Sequence, residues 1–134
     1  MKCLLVEDDK VSSQVVEKMI SRHGTFDAVV DGQAAIDLFR KAHESNSPYD
    51  LILMDIMIPE VDGLQSVLAI RKIEALLNIP LTKKVKVIMT TVLDDPRTVM
   101  KALYESGACS YLVKPIRLQK LEDELRALKL IPQN

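Results

Sequence analysis

The stretch Leu51-Ile52-Leu53-Met54-Asp55-Ile56-Met57-Ile58-Pro59 sets a carboxylate at the exit of an unbroken apolar run. The run reads as a buried strand. An aspartate at its mouth is costly unless a cation or a reaction holds it there. Two other stretches repeat the pattern: Leu4-Leu5-Val6 runs into Glu7-Asp8-Asp9, and Tyr111-Leu112-Val113 runs into Lys114-Pro115. If these strands are parallel neighbours, the charges at their ends meet.

Outward from Asp55, apolar runs alternate with helical patterns five times. Strands are expected at about Lys2–Val6, Phe26–Val30, Tyr49–Met54, Val85–Thr90 and Cys109–Val113. The first helix carries Val11, Val15, Met19 and Ile20 at helical spacing and stops near His23-Gly24. Asp31-Gly32 could signal a hairpin, but Ala35, Ile36, Leu38, Phe39 and Ala42 have helical period, so a helix follows. Asp62 suits the cap of a third helix from about Leu64, and Asp95-Pro96 the start of a fourth carrying Val99, Met100, Leu103 and Tyr104. Leu118, Leu121, Leu125 and Leu128 mark the last.

Short strands that are apolar on both faces and separated by helices predict a parallel sheet covered on both sides. Right-handed crossovers with one reversal of strand order make this an α/β, doubly wound fold. Ligands of such folds bind beyond the carboxyl ends of the strands, where Glu7, Asp8, Asp55 and Lys114 fall.

The 134 residues suit one domain, 1–134, and no linker, repeat or room for an effector domain is evident. A net charge of −1 favours neither nucleic acid nor an anionic membrane surface. Lys83-Lys84 with Lys86 is the densest basic cluster and reads as a solvated loop edge. Cys3 and Cys109 show no zinc or CxxC spacing and are expected to be small core residues in a reducing compartment. The N-terminus turns acidic at once, unlike a signal peptide, and no apolar stretch approaches membrane-spanning length. A cytoplasmic location is expected.

Three carboxylates, Glu7, Asp8 and Asp55, repel one another and need protons or a divalent cation. Mg²⁺ suits oxygen ligands and keeps waters that a phosphate can replace. A simpler reading makes Glu7, Asp8 and Asp9 a negative cap for the first helix. That reading leaves Asp55 and Lys114 unexplained. Lys114 could hold a phosphoryl oxygen as a point charge, and a hydroxyl from Thr90-Thr91 could donate to one. The Lys114-Pro115 bond can be cis.

Together these residues resemble the receiver domain of bacterial two-component response regulators, over the whole chain, and closely match the single-domain, chemotaxis-type (CheY-like) members. The resemblance implies a five-stranded flavodoxin-like sheet of order 2-1-3-4-5. It maps the family's acidic pair onto Glu7 and Asp8, its phosphoacceptor onto Asp55, its switch hydroxyl onto Thr91 rather than Thr90, its Lys-Pro pair onto Lys114-Pro115 and its switch aromatic onto Tyr111. It further implies Mg²⁺ held by Asp8, Asp55 and the backbone oxygen of Met57, with Glu7 acting through water. Asp55 would take a phosphoryl group from a sensor histidine kinase or phosphotransfer protein. Thr91 and Tyr111 would then bias a surface of the fourth helix, fifth strand and fifth helix towards an unknown downstream protein.

Such a protein is not an enzyme beyond promoting its own phosphorylation and dephosphorylation. It is expected to be a monomer or a phosphorylation-dependent dimer, without direct nucleic-acid or membrane contact. Two departures stand out. The connection Glu74–Lys84 is longer than in compact family members and is read as a packing extension. The positions two beyond the phosphoacceptor and the switch threonine are Met57 and Leu93, both apolar, where the family's side chains flank the path of hydrolytic water.

Among rivals, a metal-dependent phosphohydrolase of the aspartate type needs a second aspartate where Met57 stands. A flavodoxin-type flavin carrier needs a hydroxyl- and glycine-rich loop where Glu7-Asp8-Asp9-Lys10 would repel phosphate. A receiver-like interaction module that works without phosphorylation is the remaining alternative.

Overall fold

The computed structural model describes residues 1–57, 62–92 and 96–133. In chain order its elements are β1 (Lys2–Val6), α1 (Lys10–Ile20), β2 (Thr25–Val29), α2 (Gly32–Glu44), β3 (Leu51–Asp55), α3 (Gly63–Leu76), a 3-10 turn (Leu81–Lys83), β4 (Lys86–Thr91), α4 (Pro96–Ser106), β5 (Ser110–Val113) and α5 (Leu118–Ala127). The strands form one parallel sheet in the order β2-β1-β3-β4-β5. This is the doubly wound order 2-1-3-4-5, with its reversal between β1 and β3.

Alternation along the strands divides the core into two layers. Leu4, Val6, Ile52, Met54, Val87 and Met89 face α2, α3 and α4. Cys3, Leu5, Leu51, Leu53, Ile88 and Leu112 face α1 and α5. All five residues of β3 are buried, as expected of a central strand covered on both sides. The edge strand β2 departs from the expectation of two apolar faces: Thr25, Asp27 and Ala28 are exposed. An edge strand packs fewer neighbours and tolerates this.

Three helices start on aspartate caps. Asp9 accepts from the Ser12 N–H, Asp31 from Ala34 and Asp62 from Gln65. Asp31-Gly32 therefore opens a helix rather than a hairpin. The expected cap at Asp95 lies outside the described residues.

Three expectations of burial are corrected. In α1 the inward stripe is Ser13, Val16 and Ile20, whereas Val11 and Val15 are exposed. Cys109 precedes β5 and is exposed; only Cys3 is a core residue. In α4, Val99 and Leu103 are buried while Met100 and Tyr104 face outward. Among the described residues, no helix is long and apolar enough to cross a membrane.

The connection between α3 and β4 is anchored by an internal charge pair. Glu74 is fully buried, takes an ion pair from Arg71 at 2.7 Å and accepts from the Val85 N–H at 2.7 Å. Arg71 also donates to the carbonyls of Val85 and Gly107. One guanidinium thus ties α3 to the entry of β4 and to the turn after α4. That turn needs Gly107, whose φ of +80° favours a residue without Cβ.

Candidate functional site

At the carboxyl end of the sheet, β1 and β3 deliver the acidic residues side by side. Val6 is in register with Met54, so Glu7 and Asp55 follow at adjacent strand ends. Oxygens of Glu7, Asp8 and Asp55 lie within 4.8 Å of one another. Glu7 and Asp55 are buried and Asp8 is exposed, which leaves the cluster open on one side.

β5 brings the cation. The Lys114 N–H donates to the Thr91 carbonyl at 2.7 Å, extending the β4–β5 pairing by one residue. The Lys114 ammonium then contacts Glu7 and reaches Asp55 Oδ2 at 2.9 Å. The Lys114-Pro115 bond is cis. Burial raises the Glu7 carboxyl above its usual range, and the Asp55 carboxylate adds to this while Lys114 opposes it. Burial works against the Lys114 charge, but its two carboxylate partners hold its pKa above the ordinary value.

Asp55 is fixed by two donors. Lys114 takes Oδ2, and the Met57 N–H donates to Oδ1 at 3.0 Å. The backbone therefore doubles back just after Asp55, and α3 sits close above it. Gly63 makes this approach feasible: a Cβ there would stand 2.3 Å from the Asp55 carbonyl oxygen and 2.8 Å from Ile56 Cα. The Met57 side chain is 69% exposed, at the outer side of this turn.

The two threonines at the end of β4 face opposite layers. Thr90 is in register with Asp55 and lines a pocket with Glu7 and Lys114 on the α1–α5 side. Thr91 shares the parity of Met89, whose side chain belongs to the α2–α3–α4 layer. Tyr111 is in register with Met89 and packs against that same layer. Thr91 and Tyr111 thus lie on one face of the sheet, beside α4.

The structure therefore brings Glu7, Asp8, Asp55 and Lys114 together, with Met57 attached through its backbone. It places Thr91 and Tyr111 on the adjoining face. Leu93 lies outside the described residues. The Arg71–Glu74 anchor was not foreseen. An Arg and a Glu three apart on a helix read as a solvated pair, and only the full burial of Glu74 marks it otherwise.

The response regulator receiver domain profile matches residues 3–126, and the chain belongs to that family. It is 33% identical over 124 residues to the osmosensing histidine protein kinase SLN1 of Saccharomyces cerevisiae, covering 91% of this chain and 10% of SLN1. It is 31% identical over 125 residues to the two-component response regulator ARR12 of Arabidopsis thaliana, covering 92% of this chain and 19% of ARR12. The chain thus spans a fifth or less of these two relatives. Among solved structures, a putative response regulator from Chloroflexus aurantiacus superposes with a TM-score of 0.78 at 26% identity, over 97% of this chain and 98% of the other. The receiver domain of the histidine kinase CKI1 from Arabidopsis thaliana, complexed with Mg²⁺ and BeF₃⁻, superposes with a TM-score of 0.81 at 23% identity, over 97% of this chain and 90% of the other.

Proposed function

We propose that this chain is a phosphoacceptor switch in which Asp55 takes a phosphoryl group from a phosphohistidine on a sensor kinase or phosphotransfer protein. The observation that carries this reading is Asp55 itself: a buried carboxylate held on both oxygens, beside two further carboxylates and one ammonium. An Asp55 oxygen forms the new bond to phosphorus as the bond from phosphorus to the imidazole nitrogen breaks, and the electron pair leaves with the nitrogen. Phosphoryl transfer depends chiefly on positioning and charge neutralisation. The Met57 N–H and Lys114 provide the positioning, and Lys114 also answers the charge of the transferred oxygens.

Three carboxylates against one ammonium leave an excess of negative charge on these four groups, and an all-oxygen donor set fits Mg²⁺. Asp8, Asp55 and the Met57 carbonyl would hold it, with Glu7 through water. Bound there, it would neutralise phosphoryl oxygens. The complex of the CKI1 receiver domain with Mg²⁺ and BeF₃⁻ is consistent with this assignment.

Thr91 and Tyr111 share the sheet face on which α4 packs, so a shift of Thr91 towards the phosphoryl group would release space for Tyr111. Met100, Tyr104 and Val113 expose apolar surface along α4 and β5, where a protein partner would dock. The chain would act on its own phosphorylation state and not as a turnover enzyme. Incubation with acetyl phosphate and Mg²⁺, read by intact mass, is expected to add one phosphate that Asp55→Asn abolishes. Absence of the adduct in the unaltered chain would instead support a module that binds partners without phosphorylation.

A further inference from the structure

On the α1–α5 side of the sheet, next to Glu7 and Lys114, the packing leaves a cavity of about 150 Å³. Leu5, Leu53, Leu112 and Leu121 line it, and all four are buried in the core layer between the sheet and those helices. Val11, Val15 and Pro115 also line it and are exposed, so they mark its mouth. The same wall carries four polar side chains, Glu7, Ser12, Thr90 and Lys114. Three of them are engaged. Ser12 donates to Asp9, Glu7 accepts from the Asp9 N–H, and Lys114 bridges Glu7 and Asp55.

Thr90 differs. It shares the parity of Ile88, which turns its side chain towards the α1–α5 layer and this cavity. The residue is only 6% exposed, yet its hydroxyl has no hydrogen-bond partner among the described residues. A buried hydroxyl left in that state is costly and calls for a partner.

We propose that this cavity binds a small neutral molecule built on one apolar ring, with a single polar atom that pairs with the Thr90 hydroxyl. The volume is that of a dry apolar cavity able to take one benzene ring. Neutrality follows from the wall: an anion would face Glu7, a cation would face Lys114, and those two charges already answer each other. A leucine or phenylalanine from a partner protein would fill the space but leave Thr90 unpaired. Small-molecule sites commonly combine an apolar wall with a few placed polar groups, as here. Because Glu7 and Lys114 form part of the wall, a bound ring touches the pair that reaches Asp55. The site itself does not depend on the function proposed for Asp55.

The test titrates the methyl-labelled chain with phenol and, separately, with toluene, which has the same ring without the hydroxyl. Saturable binding of phenol is expected with a Kd at or below about 1 mM. Nuclear Overhauser contacts should join its ring protons to the methyls of Leu5, Leu53, Leu112 and Leu121. Thr90→Val keeps the shape and removes the hydroxyl, so the ratio of phenol to toluene affinity should fall about fivefold. A synthetic helix presenting one phenylalanine is run alongside. The proposal is overturned by no saturable binding of phenol up to about 10 mM, by contacts centred on other residues, or by an unchanged ratio in Thr90→Val. Binding of the helix alone, with neither free ring bound, would give the cavity to a partner's side chain and overturn it equally.

Discussion

Met57 contributes to Asp55 through its backbone while its own side chain stays outside the carboxylate cluster. Its N–H fixes Oδ1, and the residue is 69% exposed at the turn beside the site. An apolar chain there offers nothing to orient a water for attack on a phosphorylated Asp55. The phosphorylated form is therefore expected to persist well beyond seconds without a phosphatase. Met57→Asn, which adds a group able to hold a water, is expected to shorten that lifetime about tenfold, equivalent to ~1.4 kcal/mol in the barrier. A time course of intact mass after removal of acetyl phosphate decides it. Loss within seconds from the unaltered chain, or an unchanged rate in the variant, rejects the role given to Met57. Gly63 is the other residue on which the turn depends. Gly63→Ala forces a Cβ against the Asp55 carbonyl, and because backbone must shift, a loss of about 1–3 kcal/mol is expected in urea unfolding. A stability within error of the unaltered chain would mean that α3 can move aside freely.

Among the elements, the strands were legible because β1, β3 and β4 are apolar on both faces, and a run such as Leu51–Met54 has few other uses. The inward face of α1 was harder to read. Val11, Val15 and Met19 form one stripe at helical spacing and Val16 and Ile20 another, so periodicity alone does not choose between them. Packing against Leu5, Leu53 and Leu121 chooses Val16 and Ile20. The candidate site was legible for a related reason: charge at the end of a buried strand is conspicuous, as at Glu7, Asp55 and Lys114. The face on which Tyr111 meets α4 depends on register across three strands, which no local pattern carries. The Arg71–Glu74 anchor was hidden by its ordinary spacing. Its energetic weight follows from burial: Arg71→Met would leave the Glu74 carboxylate with the Val85 N–H alone, and an unfolding cost of about 3–5 kcal/mol is expected. Denaturant unfolding of Arg71→Met and of Arg71→Met/Glu74→Gln separates the contributions. Recovery of stability in the double variant identifies the stranded charge as the cause, whereas equal losses would point to lost packing of the arginine stem.

For the whole molecule, the end of the sheet opposite Asp55 sets a limit on alkaline stability. Cys3 has no exposed surface, in the layer that faces α1 and α5. Burial pushes its thiol from 9.0 up to about 12; a backbone hydrogen bond at Leu53 opposes the shift and the Asp27 charge adds to it. Tyr49 is also pushed up by burial, and further by its 2.7 Å hydrogen bond to Asp27. In both cases the folded chain keeps a proton that the unfolded chain gives up. The stability they contribute is therefore fully present below the unfolded pKa and is lost as pH rises towards the folded one. The windows are staggered, because the unfolded thiol begins to ionise near pH 9 and the phenol near pH 10. Between pH 9 and 10 the decline belongs chiefly to Cys3, with a slope on the order of 1 kcal/mol per pH unit. Cys3→Ala lowers stability at neutral pH through lost packing but should flatten the curve between pH 9 and 10, leaving the steeper fall above pH 10 in place. Urea unfolding of both proteins at pH 8, 9, 10 and 11 measures this. Parallel declines would show that the buried thiol does not govern the alkaline limb.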